Sequence, residues 1–256
     1  MRDYDVVIVG AGSSGIGAAL TAGKYGLRTL LLEKNNEIGG NAAVSGVSVW
    51  EMGAGGTGVP FDIYKRLKKV ENAVGIYEFK RHCAWKNELG ESQFPAGADL
   101  TISTNFKYID SLRRFGTDSL AASEDFVRKY WHGVPFEPIV YQHIVEEMLK
   151  EYPKVELLKN TSFVKAEYID GQVTSIQLSN KRDIRASYFI DATDDGHLSR
   201  ACGGQTLFGQ ESKSMFKEPS APLNPTKKLN GVSLIFRISP TETNEVQSLP
   251  ENIPSI

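Results

Sequence analysis

Cysteine and histidine are scarce in this chain, with two of the first and four of the second among 256 residues. Cys83 and Cys202 stand far apart and belong to no CxxC, so iron–sulfur ligation and flavin-linked dithiol chemistry lack the residues they use. Each thiol reads as a free, buried or semi-buried group. His82, His132, His143 and His197 have no metal-ligand spacing, which leaves no case for a metal. An excess of one charge is missing too. The net charge of −2 gives no electrostatic footing for nucleic acid or an anionic membrane. No apolar run approaches the roughly 20 residues of a membrane span. The first apolar run is too soon interrupted by glycines to be a signal peptide. A cytoplasmic location is the expectation.

What the chain does have is enough apolar material for a core, 41% of its residues, and a length that suits one or two domains. The most informative stretch comes first. Val6-Val7-Ile8-Val9 is a continuous apolar strand, followed by Gly10-Ala11-Gly12-Ser13-Ser14-Gly15, a helical segment, and Leu30-Leu31-Leu32-Glu33. This is a strand, glycine turn, helix and second strand ending in a carboxylate, the arrangement that holds a dinucleotide. Gly10 permits the tight turn, Gly12 lets a pyrophosphate approach the backbone, and Gly15 lets the helix lie close to the sheet. Ala19 is small where the helix meets the sheet, and Gly26 closes the helix. The helix N-terminus offers free N–H groups and about half a positive charge to phosphates. Glu33, eighteen positions after Gly15, suits ribose hydroxyls and disfavours a 2′-phosphate.

A second match to the glycine pattern, Gly53-Ala54-Gly55-Gly56-Thr57-Gly58, reads as a decoy. The segment before it is broken by Gly46, Ser48 and Glu51, unlike a buried parallel strand. Pro60, with Asp62 as N-cap, would start the next helix too late for its N-terminus to meet a phosphate. That helix is expected to place Ile63, Leu67, Val70 and Val74 on one face, with Lys65, Arg66, Lys68 and Lys69 mostly in solvent. Tyr77 to Trp131 shows no dominant period and reads as an insertion, with a helix near Phe106 to Phe115. Its Arg81 and His82, with the neighbouring His132, are catalytic candidates only by position, and no catalytic residue is assigned.

Regular patterning returns at Pro138, which suits a first helical turn. Tyr141, Ile144, Val145, Met148 and Leu149 then form a core-facing stripe, with His143 off it. A strand is expected at Val155 to Leu158. Ser162 to Ile169 and Val173 to Leu178 flank Asp170-Gly171, a strong hairpin signal. A further turn at Ser179-Asn180-Lys181 leads through Ile184 into a strand ending in Asp191-Ala192-Thr193-Asp194-Asp195-Gly196.

The order of these parts resembles the FAD-dependent oxidoreductases with a glutathione-reductase-type FAD domain. More narrowly, it is similar to the family neighbouring the fumarate reductase and succinate dehydrogenase flavoproteins. Gly209 to Ser214 and Glu218-Pro219 also carry that likeness. The resemblance implies an α/β fold: a Rossmann-like FAD-binding domain with a parallel sheet and an antiparallel β-meander, plus a partial α+β cap or substrate region. It would assign 1–76 and 132–210 to the FAD-binding domain, and 77–131 and 211–256 to the cap. It implies that Gly10, Gly12, Ser13, Ser14 and Gly15 surround the FAD pyrophosphate and that Glu33, flanked by Lys34, binds the adenosine ribose. Gly40, Asn41 and Ser45 would approach the pyrophosphate and flavin side. Val164 would offer backbone groups to the adenine, and Ala192, Thr193 and Gly196 would close over the cofactor. Relatives usually carry Gly where this chain has Asp194, whose carboxylate would repel phosphate unless it faces outward. Some relatives attach the flavin to a histidine after the ribose acid. Asn41-Ala42-Ala43 contains none, so the FAD is expected to be noncovalent.

Relatives of this kind are usually longer, with a later stretch that completes the flavin end. Here a strand expected at Val232 to Ile238 alternates apolar residues and should pair with something: a second chain or homo-oligomer, a longer protein, or an abbreviated fold. The function implied is hydride or electron transfer between a small-molecule substrate and FAD. A truncated flavoprotein fragment that binds FAD or ADP without turnover, and an NAD-dependent dehydrogenase, are the other readings. The meander and the 191–196 motif count against the last.

Overall fold

The computed structural model describes residues 3–50, 58–71, 73–74, 77–78, 132–229, 231 and 235, with the backbone alone for 77–78 and 132–134. Strand β1 (Tyr4–Val9), helix α1 (Ser13–Lys24) and strand β2 (Thr29–Leu32) open the chain. A single 3-10 turn spans Gly40–Ala42, before β3 (Val49–Trp50) and α2 (Gly58–Leu67). Then come β4 (Tyr77–Glu78), β5 (His132–Pro135), α3 (Pro138–Lys150) and β6 (Val155–Leu158). Strands β7 (Phe163–Ile169), β8 (Gln172–Leu178) and β9 (Asp183–Asp191) follow, with short helices α4 (His197–Ala201) and α5 (Lys213–Phe216) after them.

Six strands form one sheet in the order β6-β2-β1-β9-β8-β7. The first four are parallel, and β9-β8-β7 is an antiparallel meander. Strand β9 belongs to both parts: its early residues pair with β8 and Ala186 to Asp191 pair with β1. Every residue of β2 and the last four of β1 are buried, because both faces of the parallel part are covered. On one face Val6, Ile8 and Leu31 pack with Ile16, Ala19 and Leu20 of α1 and Tyr141, Val145 and Met148 of α3. On the other, Val7, Val9, Leu30 and Leu32 pack with Ile176 and Leu178 of β8 and Leu198 of α4. The meander therefore folds back across the parallel strands as the second cover.

The local readings from sequence hold in this half of the chain. Gly26 adopts φ +69° just beyond α1, and its N–H donates to the Gly23 carbonyl. The β7–β8 hairpin turns at Asp170 (φ 50°) and Gly171 (φ 81°), with Ile169 opposite Gln172, the two positive values a type I′ turn requires. Pro138 begins α3, its stripe is buried except for a half-buried Ile144, and His143 is exposed.

Two expectations need correction. Helix α2 starts at Gly58, so Asp62 lies within it and is not its N-cap; its carboxylate instead pairs with Lys24 and Lys65, at 2.7 and 2.8 Å. Pro60 fits because the first helical turn needs no N–H from it. The helix also ends at Leu67, which leaves Val70 exposed and Val74 in an isolated bridge to Phe136. Of the strand expected at Val232 to Ile238, all but Ile235 lies outside the described residues. The second glycine run at 53–57 lies outside the described residues. The preceding β3 pairs antiparallel with β5 in a separate sheet, β3-β5-β4, and so gives that run no parallel strand. Arg81, His82, Cys83 and the helix expected near 106–115 are likewise outside the described residues, and His132 is placed only as the backbone partner of Glu78.

Candidate functional site

The carboxyl ends of β1, β2 and β9 meet at one edge of the sheet, where loops leave in different directions. Open α/β sheets bind ligands in such crevices. A cavity of about 290 Å³ lies there, walled by Gly10 and Gly12 of the first turn, Glu33 to Asn35, Gly40, Thr161 to Phe163, Ala192 to Asp195, and His197.

The glycines have distinct local reasons. Gly10 has φ +103°, and a Cβ on it would lie 2.6 Å from the Ala192 carbonyl oxygen. Gly15 is buried, and a Cβ there would lie 1.8 Å from the Gly10 carbonyl oxygen. Both are therefore demanded by packing. Gly12 differs: among the described residues, its chain neighbours aside, no atom lies within 4 Å of the position its Cβ would take. Its missing side chain leaves open space on the cavity wall. Gly40 approaches the same spot from the opposite side, with its Cβ position 3.1 Å from the Gly12 Cα. Helix α1 has no side-chain cap at its N-terminus and no acidic residue in its first turn. Its first N–H groups and the positive end of its dipole are thus left for an external anion.

Glu33 is buried beneath this turn. Its Oε2 accepts the Ala11 N–H at 3.0 Å, and its Oε1 accepts the Asn35 N–H at 3.0 Å. Backbone bonds from Glu33 N–H to Leu158 and from Thr161 N–H to Glu33 tie it to the loop beyond β6. A carboxylate has about four acceptor positions, so two remain for a ligand's hydroxyl groups. The residues thus fit an adenosine diphosphate: a carboxylate with spare acceptors at one end, and an uncapped helix over a bare glycine at the other.

Of the residues singled out from sequence, Gly10, Gly12, Glu33, Lys34, Gly40, Ala192 and Thr193 line the cavity. Ser13 and Ser14 are exposed at the start of α1 beside it, and Gly15 is a packing residue behind it. Asn41 and Ser45 are exposed in the next loop, where the Ser45 N–H donates to the Gly40 carbonyl. Gly196 takes φ +61° to begin α4 and does not face the cavity. Val164 is exposed, and its neighbours Ser162 and Phe163 form the wall instead. A shift of register between Phe163 and Lys165 leaves Val164 out of the ladder with β8.

The structure adds residues that sequence reasoning missed. Thr161, Ser162, Phe163, Asn35, Asp195 and His197 line the cavity, and the exposed Asp194 does too. His197 Nε2 lies 3.3 Å from the Asp195 carboxylate. Asp191, behind the wall, accepts the Thr193 hydroxyl at 2.7 Å and the Thr193 N–H at 3.1 Å on Oδ1, and the Ser199 N–H at 2.8 Å on Oδ2. Burial acts to raise the Asp191 carboxyl, but the donors from Ser199 and Thr193 outweigh it and hold it below the ordinary aspartate value. Burial, then the charge of Asp191, pushes the Cys202 thiol up. Among the described residues no group of histidine, cysteine and carboxylate side chains could hold a metal, and no helix is long and apolar enough to cross a membrane.

A parallel α/β sheet with a β-meander and this turn, acid and cavity defines a dinucleotide-binding flavoprotein fold. The family model described as FAD dependent oxidoreductase matches residues 5–253. The chain belongs to that family, and FAD is its cofactor. Among relatives, 3-oxosteroid 1-dehydrogenase of Mycolicibacterium smegmatis is 51% identical over 49 residues, 19% of this chain and 9% of that protein. Urocanate reductase of Eggerthella lenta is 39% identical over 72 residues, 28% of this chain and 11% of that one. These matches therefore span about a tenth of the relatives' lengths. Among solved structures, p-nitrophenol 4-monooxygenase PnpA from Pseudomonas putida DLL-E4 shares the fold, with a TM-score of 0.51 at 19% identity, over 82% of this chain and 46% of that one.

Proposed function

We propose that the cavity at the carboxyl ends of β1, β2 and β9 holds the ADP half of a noncovalent FAD, and that the protein moves a hydride or electrons between a small-molecule substrate and that cofactor. The observation that carries this reading is the open space over Gly12, faced by the uncapped start of α1 and by Gly40. Among the described residues nothing gives a packing reason for glycine at that position. FAD supplies the redox chemistry when bound; the protein binds, orients and tunes it. In this reading Glu33 takes the ribose hydroxyls, with Lys34 beside it. Gly10, Gly12, Ser13, Ser14 and Gly15 surround the diphosphate, and Gly40, Asn41 and Ser45 lead toward the flavin. The backbone near Val164 borders the adenine, and the 192–196 turn closes the site. The absence of histidine from Asn41-Ala42-Ala43 supports a dissociable cofactor. Residues 1–76 and 132–210 form the cofactor-binding part and 77–131 with 211–256 the substrate side, in a cytoplasmic protein.

Gly12→Ala is the direct test. Because no described residue beyond its chain neighbours meets the new methyl group, stability of the apoprotein should change by no more than about 0.5 kcal/mol. FAD affinity, read by flavin fluorescence on titration, should fall at least about tenfold, the cost of about 1.4 kcal/mol. Equal affinity in the two proteins would remove the assignment. Dithionite reduction of the wild-type complex, followed by reoxidation with substrate, supports an enzyme. Binding of ADP as tightly as FAD, without turnover, would point to a binding module.

A further inference from the structure

The wall that faces the first glycine turn is built from Ala192 to His197, and it is held from behind. The Ala192 N–H donates to the Val9 carbonyl at 2.9 Å, and the Ala192 carbonyl closes on Gly10. Past that point the chain leaves the sheet, and side chains take over from the ladder. Thr193 lines the cavity, yet its N–H and its hydroxyl both donate to Asp191 Oδ1, and the same hydroxyl accepts the His197 N–H at 2.9 Å. Thr193 therefore has no donor left for a cofactor. The Ser199 N–H, on the far side of the turn, donates to Asp191 Oδ2. One carboxylate thus gathers the end of β9, the turn and the first turn of α4, while lying outside the cavity itself.

We infer that Asp191 is a positioning residue for the cofactor: through Thr193 and Ser199 it sets the conformation of the 192–197 wall against Gly10 and Gly12, and so sets cofactor affinity without touching the cofactor. This rests on the cavity being the ADP site. It also reassigns Thr193, whose polar groups serve the wall.

The test uses the full chain and two titrants, FAD and ADP, at a temperature where circular dichroism shows each apoprotein folded. Thr193→Val removes the shared hydroxyl and should weaken both titrants about tenfold, the scale of hydrogen bonds to a charged group. Thr193→Ser restores the hydroxyl and should bind within about twofold of wild type. Asp191→Ala should weaken both titrants at least as much as Thr193→Val, and the double variant should bind about as the Asp191→Ala single, because the two act through one contact. Asp191→Asn, which keeps an acceptor for Thr193 but turns an N–H group toward Ser199, should fall between. Wild-type affinity in Thr193→Val and Asp191→Ala would overturn the inference, as would independent, additive losses. A wild-type protein that binds neither titrant would remove the cofactor reading itself, a separate result from FAD binding that ignores Asp191.

Discussion

Replacing Glu33 with Gln tests both the architecture and the proposed site. The carboxylate is buried, and each of its oxygens accepts one backbone N–H at 3.0 Å, from Ala11 on one side and Asn35 on the other. Gln has one oxygen and one NH2 group, so one of these N–H donors would meet another donor in a buried place. Loss of a charge-assisted hydrogen bond with a donor left unsatisfied costs about 1–3 kcal/mol. The first effect is therefore on the apoprotein: the urea midpoint should fall with an unchanged slope. The second is on FAD. The remaining acceptor positions of the carboxylate become one weaker, neutral acceptor, and affinity should fall by about 1–2 kcal/mol, roughly 5- to 30-fold. The two readouts separate the roles. Destabilisation with unchanged FAD affinity would show that Glu33 is a structural pin of the Ala11 turn and leave the ribose to another group. Unchanged urea stability would refute the geometry assigned to the carboxylate.

Other substitutions probe the frame. Gly15→Ala puts a methyl group against the Gly10 carbonyl and should destabilise the apoprotein by about 3 kcal/mol or more, read by urea unfolding, in contrast to the near-neutral Gly12→Ala. Among the described residues the buried Tyr64 hydroxyl has no partner, so Tyr64→Phe should stabilise the protein by about 1 kcal/mol in the same assay. Asp191 has a folded pKa below its ordinary value, so its stabilisation is complete above the unfolded-state value near ~3.9 and is lost as pH falls through the folded one. The urea midpoint of Asp191→Asn should therefore fall less steeply than that of wild type below about pH 4.

Features encoded over a few neighbouring residues were legible in the sequence. The apolar run of β1, the glycine spacing, the stripe of α3 and the Asp170-Gly171 turn each act through bonds or contacts close along the chain. Their positions came out within a residue or so. The start of α2 was misread because Asp62 looks like a cap in sequence, but in the fold its charge serves Lys24, which lies thirty-eight positions earlier. That Ser162 and Phe163 line the cavity while Val164 does not was not legible, because the shift of register in β7 is decided by pairing with β8, not by β7 alone.

By itself, the sequence determined that a strand, glycine turn, helix and acidic strand end would be built at the amino terminus, since those elements need only local geometry and alternation of apolar residues. The closing of that half-site was decided by tertiary structure alone. Thr161 to Phe163 and Ala192 to His197 reach the cavity because β6 pairs beside β2 and β9 beside β1, so that Thr161 bonds Glu33 and Ala192 bonds Val9 across well over a hundred residues of chain. No local pattern marks Asp191 as the anchor of that wall. Its role exists only because the parallel pairing brings the end of β9 against the first glycine turn, where a carboxylate can gather donors from both sides of a bend.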